Sequence, residues 1–197
     1  MKSLIIIFIL AFVSCSVPGS LHPLSNNITQ VHYNQELVGK WQSSDSPDEI
    51  YVIEPGDDPA EKYYHCTIYS KNKDTAYFLV RLIQLNGINY LDSWFNLEKI
   101  SKEDNDLAHY NVPRHFFYKM NNLNKNSVEL SSPDLNAIRG LVKNGKINLQ
   151  IAELHSMNIS DDYLVISETP ELQKAFKDLE KYASTVYKEK STFTRIQ

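Results

Sequence analysis

The sequence predicts a mainly β domain of α+β type: an antiparallel barrel or a strongly curved sheet, with two added helices. Three observations lead there. From Glu36 onward, short runs rich in Tyr, Ile, Val, Phe and Thr recur, each bounded by turn residues, which is how strands read. Residues 78–95 hold two apolar runs joined by Asn86-Gly87, a pair that tolerates positive φ at both positions and marks a two-residue hairpin. The first of those runs is apolar on both faces, with Phe78, Val80 and Leu82 on one and Leu79, Ile83 and Leu85 around Arg81 on the other. A strand of that kind is covered on both sides, as when side chains fill a barrel within and helices pack outside.

Strands are predicted at 39–43, 49–53, 62–70, 75–85, 88–95, 114–120, 127–130, 146–152, 163–166 and 191–196. Besides Asn86-Gly87, turns are expected at Asn72-Lys73-Asp74 and at 121–126. The first helix starts at Ser131-Ser132-Pro133-Asp134, where a hydroxyl cap, a first-turn proline and a carboxylate suit the positive end of a helix dipole. Leu135, Ile138, Leu141 and Val142 then share one face, and Gly145 ends it. Thr169-Pro170-Glu171 repeats the start signal, and Leu172, Phe176, Leu179 and Tyr182 or Ala183 make the second stripe. Residues 96–113 are polar and acidic and read as an exposed loop.

The start of the chain has a different texture. Lys2 precedes an unbroken apolar run, 4–13, the layout of an export signal. The run is too short for the roughly 20 residues a spanning helix needs, so residues 1–14 read as a removed signal peptide. Ala11-Phe12-Val13-Ser14-Cys15 resembles the bacterial lipobox, with Phe12 where leucine is usual. That resemblance implies a diacylglyceryl group on the Cys15 sulfur, and so a membrane anchor carried by acyl chains. Such chains hold a protein firmly once there are two or more. An ordinary secretory signal cut just after Cys15 or Ser16 is the alternative. Ser16, where an Asp is absent, implies sorting to the outer membrane, facing the periplasm. Residues 15–34, polar and broken by Pro18, Gly19 and Pro23, read as a tether to a single domain at 35–197.

Gly39-Lys40-Trp41, preceded by a short turn at 34–37, resembles the opening of the lipocalins and related calycins. The resemblance implies an antiparallel barrel closed at one end by Trp41, under an arginine from the last strand; Arg195 stands at that position. Leu37 to Trp41, Tyr90-Leu91-Asp92, Val112-Pro113-Arg114-His115-Phe116 and Ser167 to Gln173 are together similar to a loosely defined group of small bacterial lipoproteins. The Thr-Asp-Tyr of the second lipocalin motif is missing, and the helix after Pro133 interrupts a simple up-and-down strand order.

Composition narrows function further. A hydrophobic share of 42% can bury a real core. A net charge of −4 gives no basic footprint for nucleic acid. With Cys15 lipidated, Cys66 is alone, and its apolar strand setting makes it a core residue rather than a reactive thiol. The sequence holds no Gly-x-Ser-x-Gly elbow, phosphate loop or His-Glu-x-x-His helix. The acidic Glu103-Asp104-Asn105-Asp106 lacks the glycine of a calcium loop, and His65, His109, His115 and His155 lack zinc spacing. No catalytic residue, cofactor or metal is therefore expected. The abundant tyrosines suit strand surfaces and cavities alike. Three functions stay open: an envelope lipoprotein holding a small apolar ligand in its barrel, one whose filled barrel docks an envelope protein, or, third, an enzyme whose site the sequence does not reveal.

Overall fold

The computed structural model describes residues 18–58, 60–71, 75–103, 114–156 and 159–197. Among these, one sheet carries β1 (Gly19–Ser20), β2 (Val31–His32), β3 (Gly39–Ser43), β4 (Glu49–Pro55), β5 (Tyr63–Ser70), β6 (Thr75–Leu85), β7 (Ile88–Phe95), β8 (His115–Leu123), β9 (Ser127–Ser131), β10 (Ile151–Ser156), β11 (Ile159–Val165) and β12 (Lys190–Ile196). The helices are α1 (Leu97–Glu103), α2 (Leu135–Lys143), α3 (Thr169–Leu179) and the short α4 (Ala183–Val186).

Eight of the strands close on themselves. The ring runs β8-β7-β6-β5-β4-β3-β12-β9, and β9 pairs back onto β8. Each neighbouring pair in it is antiparallel. At Asn86-Gly87 both turn residues take positive φ, 52° and 80°, which joins β6 to β7 without splaying them. At the next hairpin the Asn124 side chain accepts from the N–H groups of Asn126 and Ser127.

Two strand edges are shared in succession. On one edge of β8, His115 and Phe116 pair with β1, while Lys119 onward pairs with β9. β1 runs parallel to β11, and β11 antiparallel to β10, so a short wing branches from the barrel wall. Likewise β5 leaves β6 at Arg81, and β2 takes up the edge at Leu82 and Ile83.

Alternation along the strands builds two cores. Inward residues, among them Trp41, Tyr51, Tyr64, Phe78, Tyr118 and Phe193, fill the barrel. Outward residues Ile83, Leu85, Tyr90 and Phe117 pack under Ile138 of α2 and Leu172, Phe176 and Leu179 of α3. This is the double covering that residues 78–85 predict. A polar latch joins the layers: the Tyr90 hydroxyl donates to Glu180 Oε1 at 2.8 Å, and Lys119 pairs with the same carboxylate.

Several expectations need correction. Residues 18–34 are not a tether: Pro18, Gly19 and Ser20 are buried, Leu24 and Ser25 have no exposed surface, and Val31 is 2% exposed. Residues 97–103 form α1, not a loop; the rest of that predicted loop, with Asp104 to Asp106 and His109, lies outside the described residues. The strand predicted at 146–152 begins only at Ile151, because Ile147 and Leu149 reach the outer core from irregular backbone. Helix α2 starts later than predicted, capped by Asp134, whose Oδ1 accepts from the N–H groups of Asn136 and Ala137. Cys15, the signal segment and the turn at 72–74 also lie outside the described residues.

Candidate functional site

Three places could carry function: the barrel interior, its closed end, and the seat of the N-terminal segment.

The interior is nearly full. The space left among Leu37, Trp41, Tyr51, Tyr118, Leu130 and Phe193 is about 50 Å³, against the roughly 300–1,000 Å³ of a small-molecule pocket. The Tyr51 ring meets Phe193 edge-on at 5.1 Å, and Phe78 stacks on Phe95 at 4.8 Å. Burial pushes the Tyr51 and Tyr118 hydroxyls well above their ordinary range, and the Glu49 carboxylate raises Tyr51 further by taking its hydrogen bond at 2.7 Å. The Cys66 thiol is pushed up to about 12 by burial alone, so it is protonated and inert at neutral pH. A second, open cleft of about 260 Å³ is lined by Asn34, Asn89, Asn121 and Asn122 beside Leu82 and Met120.

The closed end is built around Trp41 and Arg195, which are direct cross-strand partners on β3 and β12. The guanidinium carbon lies 4.2 Å from the centre of the Trp41 ring, within cation–π reach. Beneath it the indole is 1% exposed and donates to the Leu37 carbonyl at 2.8 Å. Arg195 spends its remaining donors on three carbonyls: Lys125 at 2.6 Å, Val38 at 2.7 Å and Glu36 at 2.5 Å. The turn at Gln35–Leu37 is thereby held across the mouth. Tyr64 helps from inside, its hydroxyl accepting from the Asn34 N–H at 2.6 Å.

The third place was not visible in the sequence. Asp92 is wholly buried on the outer wall, and its Oδ2 accepts the Leu24 N–H at 3.0 Å. Its Oδ1 accepts from His115 Nδ1–H at 2.7 Å, which fixes the imidazole. From α3, the Thr169 hydroxyl donates to the Pro23 carbonyl at 2.8 Å, and the Gln173 amide donates to the Leu24 carbonyl at 3.1 Å. Asp92, His115, Thr169 and Gln173 come from three of the four stretches quoted above, and they converge on one strapped-down segment. Ser20, His115 and Asp92 have the residue types of a hydrolase triad, and Ser20 faces His115 across the strands. Yet Ser20 is fully buried and its hydroxyl donates to the His22 carbonyl at 2.9 Å. That geometry holds a segment and leaves no room for a substrate.

The other histidines do not converge with this one. His65 pairs with Asp57 at 3.2 Å on the outer wall, and the side chain of His155, like His109, lies outside the described residues. Among the described residues no three His, Cys, Asp or Glu side chains gather within a metal's reach, and no helix is long and apolar enough to cross a membrane. No known protein family, curated protein or solved structure matches the chain.

Proposed function

We propose that the protein is a lipoprotein of the bacterial envelope, anchored through acyl chains on Cys15, whose lipocalin-like barrel is a rigid platform for protein contacts. The observation that carries the platform reading over a ligand carrier is the interior space of about 50 Å³. An engineered cavity that binds benzene or xenon measures ~150 Å³, well above the space here. The anchor reading is supported by the apolar run at 4–13 and by Val13-Ser14-Cys15. Sorting to the outer membrane follows from Ser16 under the same reading.

Two measurements test it. Native mass spectrometry of the full chain extracted from membranes is expected to show the acylated mass with no further small molecule retained. A stoichiometric apolar ligand would return the barrel to the carrier class. For the anchor, Cys15→Ser should leave the protein soluble or its signal uncleaved. A cleaved variant that stays with membranes through high-salt washing would end the lipid-anchor reading.

A further inference from the structure

We propose that the basic face formed by α2 and the turn after it, carrying Arg139, Lys143 and Lys146, rests on anionic headgroups of the bilayer that holds the Cys15 lipid. This rests on the anchored reading above.

Pro18 is buried and β1 begins at Gly19, so only Ser16 and Val17 separate the acylated residue from the folded body. Three Cα steps of at most ~3.6 Å each span roughly 11 Å. A body of about 180 residues has a radius of gyration of ~16 Å. A leash shorter than the body's own radius cannot let it turn freely, so the surface around Pro18 faces the lipid.

Gly19 pairs in parallel with Leu164, which sets residue 18 abreast of Tyr163 on β11. The Arg139 guanidinium carbon lies 3.9 Å from the centre of the Tyr163 ring. Helix α2 therefore stands beside the exit. Tyr163, half-buried with a polar tip, is the type of residue that sits at a headgroup boundary.

Arg139, Lys143 and Lys146 are all exposed. In a chain of net charge −4, no carboxylate occurs between Asp134 and Glu153. Of those two, Asp134 is spent on the helix cap and Glu153 accepts the Tyr163 hydroxyl at 3.0 Å. Each Lys or Arg held close to an anionic lipid surface is drawn to it.

The test uses the full lipidated chain in vesicles containing phosphatidylglycerol, with a fluorescent reporter on Asn136→Cys or on Ile50→Cys. Asn136 is exposed on α2, and Ile50 is exposed on β4, four strands from β8 in either direction around the ring. Cys66 is buried and does not compete for the label. A headgroup nitroxide lipid should quench the reporter at 136 several-fold more than the one at 50. Adding Lys143→Glu and Lys146→Glu should bring the two close to equality while the protein still floats with the vesicles. Equal quenching at both sites in the unmodified chain, with flotation intact, overturns the proposal and leaves the anchor standing. So does quenching at 136 that charge reversal does not change, or that is lost as the protein is concentrated, the sign of a second copy covering α2. Failure to float removes the anchored reading itself.

Discussion

Gly39 takes a φ of 145°, and a Cβ placed there would fall 2.1 Å from Arg195 Nη1. The Gly-x-Trp spacing thus has a steric reason: the glycine clears the path along which the guanidinium reaches the indole two residues on. Trp41→Ala should cost about 3–5 kcal/mol through lost packing, read as a fall in the urea midpoint. Arg195→Lys should cost less, about 1–3 kcal/mol, since an ammonium cannot stack flat or serve three carbonyls at once. Equal losses in the two variants would show that the fork, and not the indole, holds this end. Cys66 gives a second expectation at this scale. Its folded-state value of about 12 exceeds the ordinary 9.0, so the folded chain binds the thiol proton more tightly than the unfolded chain. That contribution is whole below pH 9 and is lost as pH rises from about 9 to about 12. Urea melts across that window should show a flatter fall in stability for Cys66→Ala than for the unmodified protein. Trp41 and Arg195 were picked out by the Gly-x-Trp resemblance and by their places on the first and last strands of the domain, and Cys66 by its apolar strand setting. Asp92 and His115 were not, because nothing local tells a buried carboxylate from an exposed one when its partners lie 23 and 68 residues away.

Among the elements, the strap over residues 18–32 departs furthest from expectation, and the reason is its composition. Its prolines and serines read as linker, but Pro18 is buried, Ser20 and Ser25 spend their hydroxyls internally, and α3 and Asp92 satisfy its backbone. Its apolar residues divide: Leu24 and Val31 enter the outer core, while Leu21 and Ile28 stay exposed. Asp92→Ala leaves the Leu24 N–H and His115 Nδ1 without their shared acceptor in a buried site, at a cost of about 3–5 kcal/mol. Faster exchange of the Leu24 amide and earlier proteolytic cutting within residues 18–32 should report it. Asp92→Asn, which can still accept from Leu24, should be milder. Unchanged exchange at Leu24 in Asp92→Ala would mean that α3 alone holds the strap. The hairpin strands were the most legible elements, since Asn86-Gly87 fixes register by itself. The wing of β10 and β11 was the least, because Ile147 and Leu149 alternate as a strand does while packing from irregular backbone.

For the whole molecule, the closed ring leaves none of its eight strands with a free edge along its full length, and the barrel is packed on both sides of its wall. A sealed wall and a filled interior make the body stiff, which suits a platform better than a carrier. The barrel class was legible from residues 78–85, covered on both faces; how full the barrel is was not, because that depends on how large rings from different strands interlock. The strap also sets an order in time. Gln173 grips Leu24 across 149 residues of sequence, and β1, which lies against β8 on one edge, is paired on its other edge only once β11 exists. During synthesis residues 18–32 therefore emerge well before Gln173 and β11, and are among the last to be seated. Contacts so distant in sequence form slowly, and through that interval residues 18–32 stay unseated and open to proteases and chaperones. Once the last third of the chain has arrived, the same stretch is drawn into the wall and that opportunity closes.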